Sequence, residues 1–278
     1  MVEADFRFFE TTKILILRMD VVNGKTYVEA FNKVKTILVS QPKPERSPYY
    51  ELESKYELQI DWIPFIQVEP LTAKEFRKQR IRPDEFSSII FTSKNAIDHF
   101  FALCEEMRIK MSQDTKYFCL TDAVANYLQK FIVYRKRKVF SGERTLQDLK
   151  PYLMKHKDKE SFLLPCSNLG SKQITTTLDE YGMKFQEAII YNVVSSDLSD
   201  LKDIYYDIIA FFSPLEIEAL YENFPDFTQK ATRIAVFGKS ALKAVLDRGL
   251  YPNIKAPEPE TPSMTMALEK YLQQSNKD

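Results

Sequence analysis

Along the 278-residue chain, short apolar runs alternate with stretches whose apolar positions recur every three or four residues. "IIFTSKNAIDHFF", Ile89 to Phe101, shows the device clearly. Ile89, Ile90 and Phe91 read as a buried strand, two hydroxyl residues follow, and Ala96, Ile97, Phe100 and Phe101 then fall at helical spacing. The period changes at Ser93, a residue type expected to cap a helix N-terminus. The device returns in "IIAFFSPLEIEALYENF", Ile208 to Phe224, where Pro214 directly after Ser213 suits a first helical turn. "KYFCLTDAVANYLQKF" and "RIAVFGKSALKAVLDRGL" form a second pair, each a strand, a small polar turn and an Ala-rich helix, the latter ending at Gly249. A third pair, "KTILVSQPKPERSPYYELESKYELQIDWIPFI" and "SFLLPCSNLGSKQITTTLDEYGMKFQEAIIYNVV", reads strand, polar turn, helix, strand.

Order and distance agree between the copies: Ser93 and Thr121 stand 28 positions apart, Ser213 and Ser240 27. The pattern predicts a duplicated α/β fold, two doubly wound domains with parallel sheets. In such sheets the strand carboxyl ends and the following helix N-termini share one edge, where ligands bind. Free backbone N–H groups and helix dipoles make that edge attractive to anions. Thr92, Ser93, Thr121, Ser213 and Ser240 would add neutral donors there, although each taken alone reads as a helix cap. Two such edges facing each other would clasp one polyanionic ligand.

Composition narrows the classes. Lys plus Arg equals Asp plus Glu at 39 each, so no global field points to nucleic acid or a membrane surface. With 6 glycines and neither G-x-G-x-x-G nor G-x-x-x-x-G-K-[ST], the common nucleotide-binding loops are absent. Cys104, Cys119 and Cys166 are far apart and read as reduced, buried thiols. The two histidines have no metal-ligand spacing to a cysteine, so no metal is expected. His99 reads as a packing or surface residue, and His156 as part of a solvated loop. The dense basic run "YRKRKVF", Tyr134 to Phe140, could line the mouth of a ligand cleft or resemble a nucleic-acid patch, and reads most simply as a solvated edge strand. No apolar run reaches the ~18 residues of a spanning helix, and the first residues lack a basic leader. The expectation is a soluble, cytoplasmic monomer with no nucleic-acid or membrane partner.

In this order and spacing, "IIFTSKNAI", "LLPCSNLGSKQITTTLDEYGMKFQEAIIYNVV", "AFFSPLEIEAL", "AVFGKSALKAVLDRGL" and "APEPETPSMTMALEKYL" resemble the uroporphyrinogen-III synthase family over about residues 34–272. "SQPKPE" and "VYRKRKVF" are similar to its Bacteroidetes branch. The resemblance implies two flavodoxin-like domains joined by a two-segment linker near "PFIQVEP" and "IIYNVVSS". The first domain takes 34–66 plus 194–278 and the second 67–193, leaving 1–33 as an extension whose structure the sequence does not specify. It also implies a substrate, hydroxymethylbilane, with eight carboxylates. The enzyme expels the terminal hydroxyl as water, inverts the last pyrrole through a spiro intermediate and closes the macrocycle, with no cofactor.

By that resemblance Tyr191 is the catalytic residue, its phenol donating to the departing hydroxyl. The substrate-binding set is Thr92, Ser93, Lys94, Thr121, Ser167, Lys172, Ser213, Arg233, Lys239 and Ser240. Two threonine positions of the family are filled here by Val124 and Ala241, and Ser40 and Gln41 stand where a basic residue often follows the first strand. Thr261 or Ser263 is expected to cap the last helix. A catalytically silent two-lobed protein that binds a tetrapyrrole or another anionic small molecule is the alternative.

Overall fold

A computed structural model describes residues 6–10, 13–22 and 25–277. In chain order the strands and helices begin with β1 (Phe6–Glu10), β2 (Lys13–Val22), β3 (Lys25–Ala30), β4 (Thr36–Val39), α1 (Tyr50–Tyr56), β5 (Gln59–Trp62) and β6 (Ile66–Pro70). Next come α2 (Ala73–Phe76), β7 (Ser88–Phe91), α3 (Lys94–Glu106), β8 (Lys116–Cys119), α4 (Asp122–Leu128), β9 (Val139–Ser141), α5 (Leu146–His156) and β10 (Phe162–Ser167). The series closes with α6 (Lys172–Glu180), β11 (Phe185–Ser195), β12 (Ile208–Phe211), α7 (Pro214–Asn223), β13 (Arg233–Phe237), α8 (Lys239–Asp247), β14 (Pro252–Ala256) and α9 (Met264–Ser275).

The chain divides into two units. One takes residues up to Gln67 together with Ser195 onward; the other runs from Val68 to Val194. The first unit holds a five-stranded sheet in the order β5-β4-β12-β13-β14, every pairing parallel. The second holds β6-β11-β10-β7-β8-β9, parallel from β11 to β9. Leaving β6 aside, both sheets follow one doubly wound order, 2-1-3-4-5. In the second unit β10 and β11 take the first two places although they come last in the chain.

Strand alternation explains why helices cover both faces. In β7 and β8, Ile89, Phe91, Tyr117 and Cys119 turn to the side covered by Ala96, Ile97 and Phe100 of α3. Ile90 and Phe118 turn the other way, onto Leu146, Leu149 and Leu153 of α5 and Leu178 of α6. The first unit repeats the rule: Ile37, Val39, Ile208 and Ala210 meet Leu268 and Leu272 of α9, whereas Leu38, Ile209 and Phe211 meet Ile217 and Leu220 of α7. Strands buried on both faces must be continuously apolar, and these are.

Strands β1 to β3 form a separate antiparallel sheet, and "KILILRM" lies within β2. Glu29 near the end of β3 accepts hydrogen bonds from Asn253 Nδ2 at 2.8 Å and the Tyr271 hydroxyl at 2.5 Å. The expected edge strand over the basic run is shorter than expected: only Val139 and Phe140 of "YRKRKVF" enter β9, and Tyr134–Lys138 precede it as loop and turn. Clustered positive charge repels itself, and a turn spreads it better than a pleat. Ser263 caps α9, accepting from the Met266 N–H at 3.2 Å. No helix among the described residues is long and apolar enough to cross a membrane.

Phe211 is fully buried, edge-on to Phe65 with centroids 5.8 Å apart. Phe211→Ala is expected to cost about 3–5 kcal/mol, read by denaturant unfolding; Tyr134→Ala, at an exposed position, is expected within about 0.5 kcal/mol.

Candidate functional site

A doubly wound sheet offers its ligand crevice where the strand order reverses, at the carboxyl ends of the two strands flanking that point. In the second unit these strands are β10 and β7; in the first they are β4 and β12. Ser167 closes β10, and Thr92 and Ser93 follow β7.

Tyr191 reaches the same place through an irregularity. Cys166 pairs with Ile189, but Ser167 pairs with Tyr191, so the register slips by one residue. Ile190 and Tyr191 therefore both pack on the apolar cluster beneath α3, which strict alternation would forbid. Asn168 fixes the slipped segment: its backbone N–H donates to the Tyr191 carbonyl at 3.1 Å, and its side chain accepts from the Val193 N–H at 2.8 Å. The Tyr191 ring meets the His99 ring at 4.9 Å, tilted by 37°. Burial raises the Tyr191 phenol above its ordinary value of 10.0, opposed in part by a hydrogen bond from the Ser93 side chain. Burial also lowers the His99 imidazole. A protonated phenol and a neutral imidazole thus sit together near neutral pH.

The helix N-termini along this edge are unequally furnished. Ser93 caps α3, accepting from the Ala96 N–H at 3.1 Å, and Lys94 in its first turn is exposed. Thr121 caps α4 in the same way, accepting from Val124 at 3.3 Å. Lys172 opens α6 and is exposed; Ser171 before it makes no side-chain cap bond. Tyr127 of α4 donates to both Asp98 carboxylate oxygens, at 2.8 and 3.0 Å, tying α4 to α3.

The corresponding point of the first unit is already filled. Glu216, at the third position of α7, turns back to accept from the Phe212 and Ser213 N–H groups at 2.5 and 3.2 Å. It also accepts from the Ser40 hydroxyl at 2.7 Å, and the Ser40 backbone N–H donates to the Ala210 carbonyl at 3.2 Å. The arrangement is a capping box extended across to the first strand. Glu216 is 3 % exposed, and burial raises its carboxyl above the usual value despite these bonds. A helix N-terminus that could hold an external anion holds one of the chain's own. At α8, by contrast, the cap is Gly238, and Lys239 and Ser240 are exposed in the first turn.

Of the residues expected at the site, Thr92, Ser93, Ser167 and Tyr191 come together, with Lys94 beside them. Thr121 and Lys172 lie further along the same edge; Ser213, Lys239 and Ser240 lie on the edge of the other sheet. Arg233 does not lie on that edge. It begins β13 and so stands at the amino end of the sheet, 5 % exposed. There its Nε donates to the Tyr271 hydroxyl at 3.1 Å, its Nη2 to the Asn32 carbonyl at 2.8 Å, and Asp207 lies 3.8 Å away. Val124 and Ala241 are buried, at 5 % and 0 %, so these departures from the family pattern sit on core-facing positions. His99, read from sequence as a packing or surface residue, packs on Tyr191; Asn168 and Glu216 also belong to the switch points, and for Glu216 the Ser-x-x-Glu spacing is the available sequence signal.

All three cysteines are free and buried. Burial pushes Cys104 and Cys119 up to about 12 and Cys166 to about 11, which keeps them protonated thiols near neutral pH. Among the described residues no group of three or more His, Cys, Asp or Glu side chains is placed to hold a metal ion.

A family model described as uroporphyrinogen-III synthase HemD matches residues 49–266. A uroporphyrinogen-III synthase of Chlorobaculum parvum is 23% identical over 254 residues, spanning 86% of this chain and 100% of the relative. Among solved structures, a mutant uroporphyrinogen III synthase of Thermus thermophilus matches with a TM-score of 0.56 at 14% identity, over 86% of this chain and 99% of its own. The uroporphyrinogen-III synthetase of Helicobacter pylori gives 0.55 at 19% identity with the same coverage. At such identities the structural likeness speaks for the fold alone.

Replacing Glu216 by Ala strands the Phe212 and Ser213 N–H donors, while the Ser40 hydroxyl keeps the Ala210 carbonyl 2.8 Å away, and is expected to cost about 1–3 kcal/mol of stability. Chemical denaturation that shows a change under about 0.5 kcal/mol would contradict the extended capping box.

Proposed function

This chain belongs to the uroporphyrinogen-III synthase family, and from that premise we propose that the switch point of its second unit carries the reacting end of hydroxymethylbilane. The activity is a cyclising loss of water in haem biosynthesis. What supports placing the chemistry at Tyr191 is one observation: a register slip brings its phenol beside Ser93 and under His99 at the point where a doubly wound sheet offers its ligand crevice.

On this reading the terminal hydroxyl of the substrate departs as water with a hydrogen bond or proton from Tyr191. A phenol whose pKa is raised suits that role, since the protonated form is the donor and persists through the neutral range. The proton given up is replaced by the one released when the newly closed pyrrole regains aromaticity, so the phenol is restored without another reactant. The Ser93 hydroxyl, which caps α3, lies beside the phenol and opposes in part the rise that burial causes. Neutral His99 lies against the ring without adding a charge that would compete with the cationic azafulvene left on the substrate. Much of the rate enhancement then comes from holding that reactive end in a geometry in which only one carbon can close.

The carboxylates of the substrate need donors and countercharge. In the second unit Thr92, Ser93, Lys94, Thr121, Ser167 and Lys172 supply them, in the first unit Lys239 and Ser240. Ser213 contributes less than its position suggests, because Glu216 takes the N–H groups beside it. Arg233 serves the packing of β13 against α9 and the segment before β4, rather than the substrate.

Freshly prepared hydroxymethylbilane closes unaided to the type I isomer, so the assay is isomer analysis of the product. The protein is expected to yield type III; a product mixture identical to the uncatalysed one would overturn the reading. Tyr191→Phe is expected to lower kcat on the order of 10²-fold with an unchanged unfolding transition. His99→Phe, which keeps a ring against Tyr191, is expected to retain most activity, and His99→Ala to lose it by about tenfold, which corresponds to roughly 1.4 kcal/mol of barrier. The alkaline limb of the wild-type rate profile is expected above the ordinary tyrosine value of 10.0, because loss of the phenol proton is delayed; a limb near pH 8 would exclude Tyr191 as the donor.

A further inference from the structure

At the opposite end of the second unit's sheet from Tyr191 lies a cavity of about 620 Å³, and we propose that it binds a small amphipathic organic anion, an apolar ring or chain bearing one carboxylate or sulfonate. The cavity opens where β8 and β9 begin. Its floor is apolar: Tyr117 and Val139 at the strand starts, Phe101 and Cys104 on α3, and Ile132 after α4. The Phe101 and Phe131 rings stack at 4.9 Å and 11°, and present a flat aromatic wall. Phe131 is 38% exposed and Val133 80%, so apolar surface is left to solvent at the mouth. The size falls within the ~300–1,000 Å³ of small-molecule sites.

Charge sets the sign of the occupant. Four cations line the cavity, Arg108, Lys110, Arg135 and Lys138, against one carboxylate, Glu105. Two of the four are engaged within the chain. Arg135 donates to the Gln113 side-chain oxygen at 3.1 Å; Lys138 donates to the Gln113 carbonyl at 2.7 Å and pairs with Asp114. Arg108 and Lys110 have no side-chain hydrogen bond or ion pair among the described residues. An apolar body would cover the aromatic floor, and a single acid group would meet these two cations; a neutral or cationic ligand would leave them uncompensated beside the cavity.

Arg108 also supplies a clean substitution. It follows α3 with φ 57, the left-handed conformation at a helix end where glycine is at ease, while the Ile109 N–H closes the turn onto the Cys104 carbonyl at 2.8 Å. Arg108→Gly therefore removes the charge and suits the backbone, so lost binding cannot be put down to a damaged fold.

The test uses the full chain and the fluorescent anion 8-anilinonaphthalene-1-sulfonate, with neutral N-phenyl-1-naphthylamine as its uncharged counterpart. The sulfonate is expected to bind saturably at one site. Arg108→Gly with Lys110→Ala is expected to weaken it at least tenfold, with type III synthesis unchanged and thermal stability equal or higher. The neutral compound is expected to bind at least tenfold more weakly than the sulfonate to the unaltered protein. Lys110→Gln alone, at an exposed position, is expected to weaken the sulfonate about threefold. Equal binding of the two probes, or sulfonate binding insensitive to both variants, would overturn the proposal. So would no sulfonate binding alongside capture by anionic phosphatidylglycerol vesicles, which would make this face a lipid-surface contact.

Discussion

The two sheets share a topology, and the difference between them turns on one buried carboxylate. A helix N-terminus at a switch point presents unsatisfied N–H groups, and something must accept from them. In the first unit Glu216 does so, drawing in Ser40 from the first strand. In the second unit the matching helix position is Ala96, whose N–H is met only by the Ser93 hydroxyl. A duplicated fold thereby has one switch point filled by its own chain and one open, which on the proposed reading receives a substrate rich in carboxylates. The asymmetry suits a reaction in which only one end of a linear molecule is transformed.

The open edge needs a residue that strict strand geometry would not deliver. Side chains alternate along β11 until the slip at Cys166 and Ser167 sets Tyr191 on the same side as Ile190. Asn168 holds that distortion from both directions. His99 and Ser93, both on or capping α3, then define where the phenol lies. The helix that supplies the open N–H groups also carries His99 against the Tyr191 ring, so on the proposed reading binding and reaction are coupled through α3.

Much of this was legible in the sequence, and for reasons that can be stated. Ser93 and Thr121 cap their helices because a change of period from apolar run to helical spacing leaves room for one polar residue, and a hydroxyl there satisfies a free N–H. The parallel, doubly covered sheets followed from continuously apolar strands alternating with helices. Arg233 is the first residue of β13, and a residue at the amino end of a parallel sheet cannot lie on the carboxyl edge, which strand polarity alone dictates. The contact of His99 with Tyr191 joins residues far apart in the chain and depends on a register slip with no local signature. Glu216 was visible as a capping residue, but its bond to Ser40 is a product of strand order. The basic run read as a strand because it abuts apolar residues; only two of them enter the ladder.

The central claim is that the second unit's switch point is open to substrate carboxylates while that of the first is closed by Glu216. Amide hydrogen exchange in the presence of uroporphyrin III, the stable oxidised form of the product, tests it directly. Added protection at residues 92–96 and 167–173, with residues 212–217 unchanged, is what the account predicts. Protection at 212–217 with none at 92–96 would contradict it.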